Sequence, residues 1–551
     1  MITDLMRRIR VLPTLHLKSN SPNSAFSSSR KSALGSSPPS TPDDFDPYKY
    51  TSGCWMRNDS EQQQARHVVF NFVKLCEKAI ESSPGAREIL RCEKVEGNFN
   101  RAFIMHLDND SKVVARIPFS VAGPARLTTH SEVATMSYLE ENTSIPVPKV
   151  LDWSDDPNNP TGTEYIIMDH VPGVQLRRAW PDMTTHQHML CVKNLTRLVQ
   201  QMNDLEFPAY GSIFFSDGPV DTASCVKLND KFCIGPSCAP RYWPYIPGDP
   251  HFYTRKPPNR GPWVSFDQYK QGLLDAGQAR IPAETPSPSQ ALSYQGKVED
   301  HIYLLDKARS TLEVLARDAR IQQLSAPLLL HPDLHSRNIF VDSEDPTQIT
   351  ALIDWQSTSL EPIFSYASVT PDLCTHPGSS EDVFGPSDHG ESDAKSKERL
   401  EKDVSICRQT WEVGLMGWGR KLHAARSLDE NLIRPFRYCY SSWRDGIAAF
   451  RHELIEVGQR WTELGLPGTP PYQPSERELA MHAEQWDDFE ASIEIEQALE
   501  RAIGSHGDGW VRTDRYEAAR EAMKEAWELW LAKCEEMGAG DKTRLLWPYD
   551  V

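Results

Sequence analysis

The chain has 551 residues, 39% of them hydrophobic and 25% charged, the proportions of an ordinary globular protein with room for about three to four domain-sized units. With 77 acidic against 59 basic residues and a formal charge of −18, a broad basic nucleic-acid surface is excluded. No stretch approaches the roughly 20 apolar residues of a membrane span, and eleven cysteines without a C-x-x-C pair argue against a disulfide framework or cysteine-ligated zinc. Cys225, Cys233 and Cys238 come closest but lack a second pair, so free, mostly buried thiols are expected.

Along the chain, residues 1–41 carry Arg7, Arg8, Arg10, Lys18, Arg30 and Lys31, ten serines and a single acid, Asp4. Ile2, Leu5, Met6 and Ile9 fall on one helical face flanked by arginines, the pattern of a mitochondrial transit peptide. The alternative is a disordered basic tail on a cytoplasmic protein. Residues 1–50 are therefore read as leader and linker, with folded structure from about Tyr50.

Val69, Phe72, Val73, Cys76 and Ile80 recur at helical spacing and predict a helix from Ser60 onward. RAFIMHL (101–107) and KVVARIP (112–118), separated by Asp108-Asn109-Asp110-Ser111, predict a β-hairpin. A helix at 131–142 and a strand at 164–171 complete a small mixed layer over 51–170. From 171 to 551 the chain reads as mainly helical, with stripes at Leu195, Leu198, Val199, Met202 and Leu205 and at Leu305, Ala308, Leu312 and Leu315. Two irregular stretches interrupt it: an aromatic-rich, packed one at 216–262 and an acidic, small-residue one at 376–398 that is expected to be disordered.

The chemistry concentrates in LLLHPDLHSRNIFVD (328–342) and ITALIDWQ (349–356). Asp333 and Asn338 lie five apart in one loop, and Asp354 follows the next apolar strand, so three oxygen donors can converge. One or two carboxylates completed by phosphate oxygens is the environment Mg²⁺ prefers. Asp333 would accept the proton of an attacking hydroxyl, while Asn338 and Asp354 hold the metal on nucleotide phosphates.

This pair of segments resembles the H-R-D-x-x-x-x-N and D-F-G motifs of the protein-kinase-like superfamily. It is closer to the aminoglycoside phosphotransferase and choline kinase branch, which reads H-x-D-x-x-x-x-N and then I-D-W. YTSGCW at residue 50, HPDLH and IDWQ further resemble a fungal group within that branch. The resemblance implies a two-lobed α+β fold with a small, sheet-containing N-lobe, a large helical C-lobe, and ATP and Mg²⁺ in the cleft. It places Gly97 and Asn100 of GNFNRAF at the phosphates, and Arg116 where the family has a phosphate-binding Lys, with Glu132 as its ion-pair partner. Met168 would flank adenine, and the backbone of Asp169 and Val171 would bond its edge. His335 stands where protein kinases have a Lys beside the transferred phosphate.

The implied reaction moves the γ-phosphoryl group of ATP to a hydroxyl of a small molecule; no motif identifies that acceptor or fixes the oligomeric state. Each residue also has a plainer reading: Arg116 and Glu132 as a surface ion pair, Met168 as core, Asn338 as a turn former, and His335 as a structural hydrogen bond. Two alternatives to catalysis by a kinase are weighed. One is a non-catalytic, nucleotide-binding scaffold or partner, to which Arg116 in place of Lys contributes. The other is a zinc metallohydrolase using His331, Asp333 and His335 as alternating ligands.

Overall fold

The computed structural model describes residues 45–243, 257–285, 292–375, 394–536 and 546–550. The expected leader over residues 1–41 and residues 376–393 of the acidic stretch lie outside them, as do residues 244–256 of the aromatic-rich one.

The chain opens with strand β1 (Gly53–Trp55) and a helix at Asp59–Ala65, then a second helix at Phe72–Glu81. The single helix expected here is thus two. Asn71 caps the second by accepting from the Lys74 N–H, and the buried stripe is Phe72, Leu75, Cys76 and Ala79 rather than one containing Val69 and Val73, which are exposed.

Five antiparallel strands follow: β2 (Ile89–Glu96), β3 (Asn100–Leu107), β4 (Lys112–Pro118), β5 (Val150–Ser154) and β6 (Tyr165–Asp169). Their order is β2-β3-β4-β6-β5. The predicted hairpin is β3–β4, and β2 extends it. Alternation along the strands gives the sheet two different faces. Phe103, Met105, Val113, Ala115, Ile117 and Ile167 pack with helix Phe72–Glu81, whereas Ile166 and Met168 meet Val133 of helix Leu127–Asn142, with Val114 packed alongside. That second face is the roof of the cleft.

Below it, β7 (Val174–Gln175) joins a small sheet with β12 (Ile339–Val341) and β13 (Ile349–Leu352). The stretch read as irregular after residue 216 contains strands: β8 (Ser212–Phe215), β9 (Val226–Lys227) and β10 (Phe232–Gly235) form a sheet of their own. β11 (Pro327–Leu329) pairs with β14 (Leu360–Pro362). The helices Thr185–Asp204 and Val298–Arg317 bury both predicted stripes in the large core, Leu198 and the C-cap residue Leu205 only partly. Helix Ala394–Gly417 begins inside the stretch expected to be disordered. No helix among the described residues is long and apolar enough to cross a membrane, and all eleven cysteines are free, eight of them buried.

The first and last described segments meet. A C-terminal hairpin of helices, Glu476–Ile503 and Tyr516–Glu536, carries β15 (Trp510–Arg512) between its arms, and β15 pairs antiparallel with β1. This contact accounts for YTSGCW. The Trp510 Nε1–H donates to Tyr50 at 3.0 Å, the Trp55 Nε1–H donates to Asp508 at 2.9 Å, and any Cβ on Gly53 would strike the Trp510 ring at 2.3 Å. Nearby, fully buried Arg101 donates to Glu96 at 2.7 Å and to the Pro47 carbonyl at 2.9 Å, while Glu96 also accepts the Thr51 and Ser52 N–H groups. Removing one partner of such a buried pair strands the other charge. Arg101→Ala is therefore expected to lower unfolding stability by ~3 kcal/mol or more, read by urea denaturation.

Candidate functional site

Arg116 projects from β4 on the same face as Val114, whose cross-strand partner on β6 is Met168. Its guanidinium forms an ion pair with Glu132 of helix Leu127–Asn142, and Nη1 donates to Asp354 Oδ1 at 3.0 Å. Glu132 is only 2% exposed, which corrects the surface-pair reading. Burial draws the Arg116 pKa below its ordinary 12.5, with Asp354 working against that shift; a guanidinium nevertheless keeps its charge in proteins. The helix is buried without a break from Thr128 to Met136. His130 Nε2 on it accepts the Phe215 N–H of β8 at 3.3 Å, so the β8–β10 sheet braces the element that carries Glu132.

The HPDLH loop follows β11. His331 is buried, and both its ring nitrogens serve backbone: Nε2–H donates to the Ile353 carbonyl at 2.9 Å, and Nδ1 accepts the Asp333 N–H at 3.2 Å. Burial lowers its pKa, partly opposed by the Ile353 bond. The ring stands edge-on to Trp355, which is fully buried. His331 is thus a staple between the loop and the turn carrying Asp354.

This geometry counts against the zinc reading. His331 has no ring nitrogen to spare, and the His335 N–H closes a turn onto the Asp333 carbonyl at 2.9 Å, so the three residues do not alternate along an extended edge. Among the described residues no group of three or more His, Cys, Asp or Glu gathers as a metal site.

Asp333 is held by three side chains. His335 Nε2 lies 3.0 Å from Oδ1, while Arg337 Nη2 at 3.3 Å and Asn338 Nδ2 at 3.1 Å donate to Oδ2. Burial pushes this carboxyl up, but His335 and Arg337 outweigh it and hold the pKa at about 2. The Asn338 Nδ2 also donates to the Asp333 carbonyl at 3.0 Å, so it ties down the loop rather than its own turn. Its backbone carbonyl accepts the Ile353 N–H at 2.9 Å, which sets Asn338 and Asp354 on neighbouring strand ends. Asp354 itself is left-handed (φ 66°), a conformation Asp tolerates better than most residues.

At the roof, the Gly97 N–H donates to the Asn100 carbonyl at 3.0 Å, and Asn100 Nδ2 donates to Gln356 at 3.3 Å. A Cβ on Gly97 would meet nothing nearer than 3.9 Å within the chain itself. Met168 packs against Val133, with Val114 and Trp153 alongside. The Asp169 N–H is already spent on the Lys149 carbonyl at 2.9 Å; Val171, two residues on, is buried.

Three residues at the site were not anticipated. Gln356 and Arg337 lie within the singled-out segments, Arg337 one helical turn from Asp333 in sequence, and could have been found there. Asp372, from the short helix Asp372–Cys374, accepts the Ser336 N–H at 2.9 Å and Oγ–H at 2.6 Å. Nothing in its local sequence signals this.

A five-stranded roof, a buried Arg–Glu pair beneath it, and a loop presenting Asp333 and Asn338 opposite Asp354 together define a kinase-like, two-lobed α+β fold. Residues 259–365 match the phosphotransferase enzyme family. Over 503 residues the chain is 26% identical to a subtelomeric hrmA-associated cluster protein of Aspergillus fumigatus, covering 82% of this chain and 95% of that one. It is 23% identical over 528 residues to altered inheritance of mitochondria protein 9, mitochondrial, of Yarrowia lipolytica, covering 85% of each. Among solved structures, aminoglycoside phosphotransferase APH(4)-Ia aligns at 11% identity and TM-score 0.34, covering 76% of this chain and 98% of that one. The resemblance to the aminoglycoside phosphotransferase family, and to the fungal group of altered inheritance of mitochondria protein 9, is borne out.

The depressed Asp333 pKa carries a sign. A carboxyl held at about 2 against an ordinary 3.8 adds stability that is present above the ordinary value and lost as pH falls toward 2. A ¹³C titration is expected to show the Asp333 carboxylate persisting below pH 3, and His335→Ala to raise its midpoint.

Proposed function

We propose that the chain is an ATP- and Mg²⁺-dependent phosphotransferase acting on a hydroxyl of a small molecule. The observation that supports it best is Arg116 held between Glu132 and Asp354, next to a loop in which Asp333 and Asn338 are already hydrogen-bonded. A carboxylate has about four acceptor positions. Three on Asp333 are engaged, and the fourth, on Oδ1 beside His335, suits an acceptor hydroxyl. The new bond joins the acceptor oxygen to the γ-phosphorus as the bond to the β-phosphate oxygen breaks, and the hydroxyl proton passes to Asp333. With a pKa near 2 Asp333 is a weak base, which fits a loose transition state where orienting the hydroxyl matters most and the proton leaves late.

Asn338 and Asp354 fit a magnesium ion. One carboxylate and one amide oxygen, with phosphate oxygens and water for the rest, is its preferred surroundings, and the Asn338 amide nitrogen is committed to Asp333, which leaves the oxygen. Bound there, the ion would neutralise the phosphates. Arg116 and the Gly97–Asn100 turn would hold phosphate oxygens. Met168 would flank adenine, and the Asp169 carbonyl and Val171 N–H would meet its edge. His335 would steady the transferred group. The scaffold reading draws on one observation: Arg116, standing where the family has Lys, already pairs with Asp354.

Mg-ATP is expected to raise the melting temperature by mass action, with Glu132→Ala reducing the shift and no shift at millimolar Mg-ATP counting against both readings. Asp354→Ala should abolish the Mg²⁺-dependent part of nucleotide affinity. Asp333→Ala should leave affinity nearly intact while cutting turnover on the order of 10²-fold, in a screen of amino-alcohols, sugars and phenols. Wild-type turnover in Asp333→Ala would refute the assignment.

Residues 1–41 we propose to direct mitochondrial import, in keeping with their arginine- and serine-rich composition and with the mitochondrial relatives. A fluorescent fusion of this segment should enter mitochondria, and replacing Arg7, Arg8 and Arg10 should leave it in the cytosol.

A further inference from the structure

His335 lies between two carboxylates. Nε2 is 3.0 Å from Asp333 Oδ1, and Nδ1 is 3.7 Å from Asp372 Oδ2. Because an ionised carboxylate only accepts, the contact to Asp333 requires the proton on Nε2. Asp372 is fixed from two directions. Its carboxylate accepts the Ser336 N–H and Oγ–H and the Leu373 N–H, and the next turn is held from outside by Arg408 Nε of helix Ala394–Gly417, which donates to the Cys374 carbonyl at 3.2 Å.

We propose that Asp372 is a positioning residue: it holds the imidazole of His335 so that Nε2–H is presented to Asp333 and to the transferred phosphoryl group. A negative charge behind Nδ1 favours this ring orientation over the flipped one, as a carboxylate behind an imidazole generally selects which nitrogen faces forward. The clamp on Ser336 fixes the backbone one residue away, so ring and loop are set by the same side chain. Around the ring, Arg337 shares Asp333 with it, and Asp372 faces it on the Nδ1 side. The assignment to the phosphoryl group rests on the proposed phosphotransferase reading; the orientation of the ring does not.

The test compares Asp372→Asn, which keeps an acceptor for Ser336 but removes the charge behind His335, with Ser336→Ala, which loosens the clamp and leaves that charge. The readouts are the ¹⁵N resonances of His335 and the slow hydrolysis of Mg-ATP, with water as the acceptor. Asp372→Asn is expected to move the His335 ring resonances and to slow hydrolysis on the order of 10-fold at unchanged ATP KM, with Asp372→Glu restoring part of both. Ser336→Ala is expected to leave the ring resonances in place. Unchanged His335 resonances in Asp372→Asn, or identical behaviour of the two variants, would overturn the proposal. Should wild type show no Mg-ATP binding, the phosphotransferase reading fails by itself, and the resonances still decide the role of Asp372.

Discussion

A guanidinium buried under a β-sheet is the constraint on which the cleft is built. Moving such a charge out of water costs several kcal/mol unless it is fully paired, and Arg116 is paired from two directions by elements far apart in the chain. Glu132 arrives on a helix that follows the β4 strand, and Asp354 on the turn after β13. Sheet, helix and turn must therefore occupy their native places together, since withdrawing either carboxylate leaves the charge only half compensated. The planar fork of arginine presents separate N–H edges to the two carboxylates, a division that the compact ammonium of lysine would make differently.

The two histidines of HPDLH show how one short motif separates support from chemistry. His331 sits against Trp355 with both nitrogens turned to backbone, and so welds the loop to the turn carrying Asp354. His335, half-exposed, faces carboxylates on either side. The tryptophan of IDWQ belongs to the support: its indole N–H donates to the Leu352 carbonyl at 3.0 Å and its ring fills the floor beneath the loop. Tolerance to substitution should therefore differ sharply between neighbours in sequence.

What could be read in advance follows from the range of each interaction. The β3–β4 hairpin and both C-lobe stripes declare themselves through local periodicity. The Asp333, Asn338 and Asp354 set was legible because its members lie within one strand–turn–strand unit. Strand β2 was missed because both its faces are exposed or half-exposed over most of their length and mix Arg91, Glu93 and Lys94 with Leu90, Cys92 and Val95, which blurs the period of two. The break between the first two helices escaped because Val69 and Val73 have the right spacing and the wrong environment. Asp372 and the β8–β10 brace matter only through partners brought near by the tertiary fold, and no window of sequence contains both halves of those contacts.

The pairing of β1 with β15 closes a loop spanning almost the entire polypeptide. Loop-closure entropy grows only slowly with length, so the finished structure bears this cheaply, but the kinetic consequence is larger. Tyr50 and Trp55 can pack on each other, on Phe119 and against Arg66 early, but the Trp510 and Asp508 side chains that bond them are made late, so for a chain synthesised from its N-terminus the β1 edge stays open through most of translation. Maturation is thus a late, non-local event, in which the last helical hairpin arrives to seal the first strand, and a chain that ends early exposes at its N-terminus the surface that its missing C-terminus would have covered.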